Sequence, residues 1–353
     1  MIAAPSFVGR IQYARTRAEL TAIRDAAGRA ELAPVGKLFT TLAKLTGPAV
    51  VKVEASFEVA SLADEIRSLQ GNPQNTLSEQ TIGSGVIIDA DGIIVTNYHV
   101  VAQSERIVVQ VADGRRFEAE LVGADAATDL AVLRIDASHL PVAPWGDSDT
   151  IEPGEMVWAV GNPFGLGRTI TYGIISAVGR RGVAADPFQE FLQTDASINP
   201  GNSGGPLVDV HGHIVGITTA IVGRAYRGIG FAIPSNDARR VCEEILRTGH
   251  VERGYLGVAL RDSPAGLHGA VVTAVEERSP AAIAGITPGD LVTSFDGQPV
   301  SEASLLFLLV TRSRIGETIE LDVIRGIDDN TSLDSDRQPI TLTVQIGRRP
   351  DEE

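Results

Sequence analysis

Residues 201–207 read Gly201-Asn202-Ser203-Gly204-Gly205-Pro206-Leu207 and place one serine among three glycines, directly before an apolar strand. Glycines permit a tight backbone whose amide groups converge on one point. A nucleophilic serine needs such donors, because its reaction builds an oxyanion and each donor lowers the barrier by about 3 to 4 kcal/mol. The pattern therefore indicates an oxyanion hole at Gly201, Asn202 and Ser203, chiefly through the amides of Gly201 and Ser203. A glycine-rich hairpin with an incidental serine is the alternative for this string alone.

A serine hydroxyl also needs a base, and the string Thr96-Asn97-Tyr98-His99-Val100-Val101 places a histidine at the end of an apolar strand. The histidine in turn needs an anion that fixes its tautomer and stabilises the imidazolium. Asp129 opens a strand of buried character, whereas its rival Asp125 lies in a turn-like stretch. The order His, Asp, Ser is that of chymotrypsin-like enzymes. The sequence therefore predicts His99, Asp129 and Ser203 as the catalytic residues.

Short β-branched runs separated by Gly, Asp and Asn fill the chain from Pro48 onward. Their spacing favours antiparallel barrels or sandwiches over βαβ units. A helix is predicted from Asn236 to Thr248, with Gly249 near its end, and a second set of short strands follows it. The spacing leaves barrels and sandwiches open, and the order His, Asp, Ser over two runs of strands favours a chymotrypsin-like double antiparallel β-barrel. We therefore predict a mostly β protein with this fold, then a domain boundary near residues 249–253 and a smaller β domain.

The composition narrows the class of protein further. The net charge of −15 disfavours binding to nucleic acid. The single cysteine, Cys242, cannot form an intrachain disulfide, and His211-Gly212-His213 lacks a third ligand, so neither a metal nor another cofactor is expected. The sequence has no apolar run of about 18 residues, so no membrane span is expected. Charged residues interrupt the first 20 positions. The absence of a signal peptide predicts the cytoplasm, or the periplasm or cell envelope if the sequence is mature or truncated.

Seven strings in this order resemble the HtrA (DegP-type) family of trypsin-fold proteases followed by a PDZ domain. They are residues 83–86, 96–101, 128–133, 159–165, 193–196, 199–207 and 228–235. The resemblance extends from about residue 32 to 344 and places the family's catalytic triad on His99, Asp129 and Ser203. It implies a serine endopeptidase that cleaves unfolded or exposed polypeptides in protein quality control or regulated proteolysis. It also implies a homotrimer or higher oligomer.

Substrate specificity is predicted from Ser197, the sixth residue before the nucleophile. Trypsin-like enzymes place a carboxylate there to bind a substrate Arg or Lys, and Ser197 carries no charge. We therefore expect cleavage after small or medium aliphatic residues, with Thr219, Ala220 and Ile221 on the substrate-facing strand. Asn202 stands where trypsin-like enzymes activated by a new N-terminus have an aspartate, and its neutral side chain cannot form that ion pair.

The C-terminal part supplies a second expected binding site. The string Gly254-Tyr255-Leu256-Gly257-Val258 resembles the carboxylate-binding loop of a PDZ domain in this family. The resemblance implies that Tyr255, Leu256, Gly257 and Val258 bind C-terminal or hydrophobic peptides by adding a strand to a sheet edge. The PDZ-like part is expected to be a β-sandwich with short helices. A small β domain that merely packs on the protease is the alternative.

The predicted organisation has four parts. Residues 1–47 are predicted to form a helical or extended segment, with candidate oligomer contacts at Phe7, Tyr13 and Phe39. The protease domain is predicted at residues 48–250, the PDZ domain at residues 251–348, and an acidic tail at residues 349–353. The rival function is a peptide-binding chaperone or scaffold in which hydrolysis is minor or switched off. A third hypothesis, an esterase that uses the same triad, fits less well because a strand-pairing groove suits extended peptides.

Overall fold

The computed structural model of the protein describes residues 32–59, 77–162, 169–181, 183, 189–199, 201–219, 228–264, 267–327 and 338–348. Several predicted features lie outside these residues, namely Phe7, Tyr13, Ala220, Ile221 and the tail 349–353. Within the described residues, the α-helices are α1 (Leu32–Thr46), α2 (Tyr98–Val101), α3 (Ser235–Thr248), α4 (Pro280–Ile283) and α5 (Ala303–Arg312), and short 3-10 helices span Gly47–Ala49 and Ser148–Thr150.

The strands up to α3 are β1 (Val50–Val59), β2 (Leu77–Asp89), β3 (Ile93–Thr96), β4 (Arg106–Gln110), β5 (Arg116–Asp125), β6 (Leu130–Ile135), β7 (Met156–Gly161), β8 (Thr169–Arg180), β9 (Phe191–Thr194), β10 (Pro206–Val208), β11 (Ile214–Thr219) and β12 (Gly230–Pro234). The strands after α3 are β13 (Gly254–Tyr255), β14 (Val258–Asp262), β15 (Ala270–Val275), β16 (Leu291–Phe295), β17 (Gln298–Pro299), β18 (Thr318–Ile324), β19 (Ile340–Gln345) and β20 (Gly347–Arg348).

The first six strands close into an antiparallel barrel in the order β1-β2-β3-β6-β5-β4. Branched aliphatic side chains fill its interior, as a barrel of this size requires; the fully buried ones include Val51, Val53, Ile87, Ile94, Val109 and Leu133. In this barrel β3 pairs with β6, and Thr96 lies opposite Ala131. The end of β3 therefore lies beside the start of β6, which brings the residues that follow Thr96 close to those that precede Leu130.

The next six strands close into a second antiparallel barrel in the order β10-β11-β12-β9-β8-β7. A separate cluster of buried side chains fills it, including Val157, Ile175, Leu192, Leu207, Val215 and Ala232. A further cluster combines residues of both barrels with α3, among them Val86, Leu130, Phe191, Ile217 and Ile245. This shared core fixes the two barrels against each other. The predicted double antiparallel barrel is confirmed.

Helix α3 covers the junction between the two barrels. Its buried residues Ala238, Val241, Cys242 and Ile245 follow the spacing of one helical face, which explains why the sequence forms an amphipathic helix here. The helix ends because Gly249 adopts a left-handed conformation with φ of 83°, and its amide donates to the Ile245 carbonyl at 2.7 Å. Burial raises the pKa of the Cys242 thiol far above its ordinary value, with a smaller contribution from the charge of Glu243.

The C-terminal strands form a sheet in the order β14-β15-β16-β18-β19, with β17 against β16, while β13 pairs with β20. Its core contains Leu256, Val272, Phe295, Leu306, Leu321 and Val344. Strand β14 lies at the edge of the sheet, and α5 contacts it. One side of β14 therefore has no strand partner among the described residues, and α5 lies beside this strand. This small β domain with short helices is the second domain that the sequence predicts.

Among the described residues, four ion pairs join the C-terminal domain and its linker to the rest of the chain. Arg312 at the end of α5 pairs with Asp237 of α3 and with Glu190, just before β9. Glu302, directly before α5, pairs with Arg181, directly after β8. In the linker, Arg253 pairs with Asp125 at 2.6 Å. Both ends of α5 are thus held against the second barrel, whereas the linker is held against the first.

Candidate active site

His99 and Asp129 meet at the point where β3 and β6 run side by side. His99 lies in the single turn of α2, directly after β3, and Asp129 immediately precedes β6. The Asp129 carboxylate accepts hydrogen bonds from the His99 ring, with His99 Nδ1 2.8 Å from Oδ2 and 3.0 Å from Oδ1. It also accepts the backbone amide of His99 at 3.0 Å. These contacts fix the ring orientation and leave Nε2 as the nitrogen free to act as a base.

The backbone of Asp129 is held in an unusual conformation. Its φ is 53°, in the left-handed region that non-glycine residues rarely occupy. The carbonyl of Asp129 accepts from the amide of Tyr98 at 3.0 Å and from the side-chain amide of Asn97 at 2.9 Å. The segment before His99 therefore secures both the backbone and the side chain of Asp129, and strain of this kind is concentrated at functional sites.

Thr219, the last residue of β11, connects the second barrel to this pair. Its hydroxyl donates to Asp129 Oδ2 at 2.8 Å, and the residue is only 5% exposed. Thr219 lies in the strand predicted to face the substrate, and its hydroxyl is directed to the Asp129 carboxylate. Asp129 thus accepts from both barrels, and the sequence offers no local signal for this bond between residues 90 positions apart.

Ser203 lies in a tight turn between β9 and β10, and this turn is joined to both barrels. Its carbonyl accepts the backbone amide of Ser84 in β2 at 2.8 Å. The next residue, Gly204, donates its amide to the carbonyl of Thr218, the neighbour of Thr219, at 2.9 Å. A side chain at Gly204 would come within 2.4 Å of Thr96 Oγ1. The Ser203 turn is therefore packed against β3, which leads to His99, and against β11, which ends at Thr219.

Two amides in the Ser203 turn remain available to a ligand. Among the hydrogen bonds of the described residues, the backbone N–H groups of Gly201 and Ser203 donate to no protein atom. The amide of Asn202 differs, because it donates to the Asn199 carbonyl at 2.9 Å. The third residue of the predicted oxyanion hole therefore serves the turn itself. Gly201 has φ of 102°, which only glycine adopts without strain.

The base and the nucleophile are not hydrogen-bonded to each other among the described residues, since no such bond joins the His99 ring to the Ser203 hydroxyl. The His99 side chain is 41% exposed, whereas Ser203 is only 4% exposed. Catalytic hydrogen bonds are often long without substrate and tighten in the complex. The geometry thus has an oriented imidazole, a buried serine and two amides of its turn without a protein acceptor, and the Val100 side chain and the Ser203 carbonyl both border Gly83.

Asp125, the rival for the anionic role, is used differently. Its carboxylate accepts from the Thr128 hydroxyl and from Arg253, at 2.5 Å and 2.6 Å. Its side chain is 7% exposed and that of Arg253 16%, so the pair is largely buried. Asp125 therefore holds the turn before Asp129 and the linker together, and none of its hydrogen bonds within the described residues goes to His99.

Ser197, the residue predicted to set specificity, lies exposed on the loop before the nucleophile. Its carbonyl accepts from the Thr171 hydroxyl at 2.9 Å and from the side-chain amide of Asn202 at 3.4 Å. Asn202 itself is 1% exposed, and this contact ties its neutral side chain to the loop. The carbonyl bonds fix the backbone of Ser197 and leave its small side chain at the surface. Ala220 and Ile221 lie outside the described residues.

In the predicted peptide-binding loop, some groups bond within the domain and two backbone amides have no acceptor among the described residues. Leu256 is 2% exposed and its carbonyl accepts the Ala281 amide, so its side chain belongs to the domain core. Gly257 has φ of 78°, and its carbonyl accepts the Glu276 amide at 2.9 Å. The Tyr255 hydroxyl donates to Glu276. The amides of Leu256 and Gly257 donate to no described residue, and Val258 begins the edge strand β14.

The described residues contain neither a candidate metal site nor a candidate membrane-spanning helix. No group of three or more His, Cys, Asp or Glu side chains is arranged to hold a metal ion within the described ranges. No helix in that part of the chain combines the length and apolarity needed to cross a membrane.

Comparison with known proteins identifies both halves of the chain. The trypsin-like peptidase domain matches residues 83–217 and the PDZ domain matches residues 254–344. A probable periplasmic serine endoprotease DegP-like of Chlamydia trachomatis is 42% identical over 254 residues, covering 69% of this chain and 51% of the relative. The DegP-like endoprotease of Halomonas elongata is 36% identical over 351 residues, covering 89% of this chain and 71% of the relative. The chain thus spans about half the length of the chlamydial relative.

A solved structure extends this likeness to three dimensions. The HtrA-type protease AlgW with a decapeptide superimposes with a TM-score of 0.72 at 37% identity, covering 89% of this chain and 99% of AlgW. The relatives from Chlamydia and Halomonas are named periplasmic, so the cytoplasmic location expected from the first 20 residues is wrong. That expectation rested on where the sequence begins, which says nothing of the mature protein's compartment. The chain belongs to the HtrA-type, DegP-like family of serine endoproteases with a trypsin-like peptidase domain and a PDZ domain.

Proposed function

We propose that the protein is a serine endopeptidase that cleaves unfolded or exposed polypeptide segments, with His99, Asp129 and Ser203 as its catalytic residues. One observation carries this proposal: the Asp129 carboxylate accepts from the His99 ring at 2.8 Å and from Thr219 of the second barrel at 2.8 Å. An imidazole oriented in this way, beside a serine in a glycine turn, is the arrangement that general-base activation of a hydroxyl requires.

In the proposed mechanism, His99 Nε2 takes the proton of the Ser203 hydroxyl as the oxygen attacks the peptide carbonyl. Asp129 stabilises the imidazolium that forms, and the Gly201 and Ser203 amides donate to the oxyanion. The imidazolium then protonates the leaving amine, which departs and leaves an acyl ester on Ser203. A water molecule, deprotonated by His99, attacks the ester, and collapse of the second oxyanion returns the proton to Ser203.

The proposed specificity follows from Ser197. The side chain at this position is small and uncharged, so it offers no counter-ion for a substrate Arg or Lys, and cleavage after small or medium aliphatic residues is expected. A digest of a peptide library, read by mass spectrometry, tests this preference. A majority of cleavages after Arg or Lys would contradict it.

The proposed role of the PDZ domain is to bind peptides at the edge of β14. A peptide strand would pair with β14 beside α5, and the free amides of Leu256 and Gly257 would receive its carboxylate. The AlgW structure that resembles this chain contains a decapeptide. Removal of residues 254–353, which keeps Arg253 and its pair with Asp125, should leave the barrels folded and abolish peptide binding, measured by fluorescence anisotropy of a labelled C-terminal peptide.

Assembly and location are also proposals. The domain boundaries stand at 1–47, 48–250, 251–348 and 349–353, as the sequence predicts. Phe39 of α1 packs edge-on against Trp158 and Tyr172, with ring centroids 5.3 Å and 4.8 Å apart, and Tyr172 is 61% exposed. An aromatic surface of this kind suits a homotrimer contact, which light scattering of the wild type and of Tyr172→Ala would test. The periplasmic relatives favour the periplasm for this protein.

The decisive experiment compares casein turnover by the wild type and by Ser203→Ala at equal concentration. The proposal predicts that Ser203→Ala loses cleavage while it keeps peptide binding by the PDZ domain. Unchanged cleavage would contradict the proposal. A wild type that binds peptides and suppresses aggregation without any cleavage would favour the rival, a chaperone or scaffold.

A further inference from the structure

Ser84 contacts the nucleophile turn from the opposite barrel. It lies in β2 within Gly83-Ser84-Gly85, a string that the catalytic mechanism does not use, and it is fully buried. Its hydroxyl donates to the Gly201 carbonyl at 2.5 Å and accepts the amide of Asn162 at 2.8 Å. Its own amide donates to the Ser203 carbonyl at 2.8 Å. One buried side chain therefore binds the turn on the first-barrel side.

Thr218 contacts the same turn from the strand below it. Its hydroxyl is fully buried, 2.7 Å from the Asn202 carbonyl and 3.0 Å from the Gly205 carbonyl. The amide of Gly205 also donates to the Asn202 carbonyl at 2.9 Å. The consecutive carbonyls of Gly201 and Asn202 are thus each held by a buried hydroxyl, one from each barrel.

These carbonyls control where the neighbouring amides point, because a trans peptide unit is planar and its C=O and N–H groups face opposite ways. The carbonyl of Asn202 shares a peptide unit with the amide of Ser203, which is free to receive an oxyanion. The carbonyl of Gly201 shares a peptide unit with the amide of Asn202, and this amide donates to the Asn199 carbonyl within the turn. Fixing the two carbonyls therefore aims the Ser203 amide and sets the turn that carries the Gly201 amide.

The glycines beside Ser84 are required by this close approach. A side chain at Gly83 would meet Val100 at 2.7 Å and the Ser203 carbonyl at 3.2 Å, and one at Gly85 would meet Ile94 at 2.8 Å. In addition, the Thr96 hydroxyl donates to the Ser84 carbonyl at 2.7 Å, three residues before His99. The string Gly-Ser-Gly thus lets β2 reach both the nucleophile turn and the strand of the base.

We propose that Ser84 and Thr218 are positioning residues that preorganise the oxyanion hole by holding the Gly201 and Asn202 carbonyls. The proposal rests on the proposed serine endopeptidase function. Neither hydroxyl touches the substrate. They act through the peptide units of the turn, so their loss lowers the turnover number more than it weakens substrate binding.

The test measures kcat and KM of Ser84→Ala, Thr218→Val and Thr218→Ser on one peptide substrate, beside the wild type and Ser203→Ala. We expect Ser84→Ala and Thr218→Val to lower kcat by about 10- to 100-fold, less than the loss of about 100- to 1,000-fold when an oxyanion donor is removed outright. KM should change by less than about 3-fold, because ground-state binding is unaffected. Thr218→Ser keeps the hydroxyl and should recover most of kcat.

Matched controls separate positioning from general loss of stability. Ser235 is fully buried and donates to the Gly146 carbonyl at 3.0 Å, and Thr46 is 1% exposed and donates to the Leu42 carbonyl at 2.8 Å. Ser235→Ala and Thr46→Val should lose a similar amount of thermal stability, yet keep kcat within about 2-fold of the wild type because neither residue touches the turn.

The outcomes distinguish this proposal from the function on which it rests. Ser203-dependent cleavage with kcat retained in Ser84→Ala and Thr218→Val, or lowered only as far as in the two controls, would overturn the positioning role and leave the protease intact. Cleavage that does not depend on Ser203 would overturn both. If Ser84→Ala or Thr218→Val fails to fold, the test uses Thr218→Ser and a peptide boronate, which mimics the transition state. Thr218→Ser should retain its affinity for the boronate, because it keeps the hydroxyl. A loss of affinity above about 10-fold would contradict the proposal.

Discussion

Asp129 accepts hydrogen bonds from several elements of the candidate site. It accepts from the amide and ring of His99 and from the hydroxyl of Thr219, while its backbone is held at φ of 53°. Asp125, only four residues earlier, has a buried carboxylate with a different set of partners. Replacement of Asp129 should therefore affect mainly activity, whereas replacement of Asp125 should affect mainly stability.

Replacement of Asp129 by Asn should abolish most activity without unfolding the protein. An amide cannot hold the same histidine tautomer, and the expected loss in kcat is about 10⁴-fold. Steady-state kinetics on a peptide substrate measures this loss. The comparison variant Asp125→Asn removes the charge that pairs with Arg253, so it should destabilise the protein by about 3 to 5 kcal/mol in urea unfolding and spare the catalytic geometry. The reverse pattern would show that Asp125 is the catalytic anion.

Replacement of Thr219 by Val tests the bond that crosses between the barrels. The variant keeps the shape of the side chain and removes a hydrogen bond to a charged group, worth about 1.5 to 3 kcal/mol. Because about 1.4 kcal/mol corresponds to tenfold in rate, kcat should fall about 10-fold or more, with KM little changed. Thr219→Ser should retain the activity. Equal kcat values for Thr219→Val and the wild type would mean that Asp129 needs no donor from β11.

The residues of the triad could be predicted because each lies in a short string with its own chemical signal, such as the glycines around Ser203. The hydrogen-bond partners of the Thr219, Ser84 and Thr218 hydroxyls could not be predicted from the sequence. Each of these hydroxyls bonds a residue at least 13 positions away, and those pairings form only when the second barrel closes, for Thr218, or when the two barrels pack together, for Ser84 and Thr219. A Thr in an apolar strand carries no mark of the group it will contact.

At the level of single elements, α3 shows how local sequence sets a boundary. Its buried residues follow the helical period, and Gly249 ends it with φ of 83°. The predicted helix began at Asn236 and the observed helix begins at Ser235, because Pro234 ends the preceding strand and Ser235 is buried against Gly146. The closure of twelve strands into two barrels is less local. It depends on pairings such as Val50 with Val86, which no string of neighbours reveals.

Two glycine-to-alanine variants separate the effect of a left-handed backbone from the effect of steric room for the methyl group. An alanine methyl group at Gly249 would meet nothing within 4 Å, and the same is true at Gly36 inside α1. Only Gly249 has a left-handed backbone, so Gly249→Ala should destabilise the protein by about 1 to 2 kcal/mol. Gly36→Ala should instead stabilise it by up to about 1 kcal/mol. Chemical denaturation measures both values, and equal effects of the two substitutions would refute the assigned cause.

At the scale of the whole molecule, the two domains are joined by charge rather than by a shared apolar core. Arg181 pairs with Glu302 and Arg312 pairs with Asp237, on either end of α5. The described core clusters place the barrels and the PDZ-like domain in separate groups. Contacts of this kind are sensitive to pH and salt.

The contact at Glu302 should weaken in acid. Hydrogen bonding from Ser304, together with Arg181, holds the pKa of Glu302 below its ordinary value, against a smaller opposing effect of burial. A carboxyl with a lowered folded pKa contributes stability above its unfolded pKa of about 4.3 and loses that contribution as the pH falls through the folded value. The side chain is 44% exposed, so the contribution is at most about 0.5 kcal/mol.

The measurement is the difference in urea stability between the wild type and Glu302→Gln at pH 7 and at pH 3. The difference should be present at pH 7 and shrink in acid. The control Glu118→Gln removes an exposed pair with Arg106, whose side chains are 70% and 65% exposed, and should show a smaller difference at pH 7. A difference for Glu302→Gln that grows as the pH falls would reverse the sign of the expected linkage.

The proposed activity requires that Ser203 is a nucleophile activated by His99. Covalent labelling with a fluorophosphonate, followed by intact mass and peptide mapping, measures this reactivity at the serine itself. We expect one adduct per chain on Ser203, no adduct in Ser203→Ala, and labelling slowed by about 10²-fold or more in His99→Ala, since the general base is lost. An adduct on another residue, or equal labelling rates in His99→Ala and the wild type, would contradict the proposed activity.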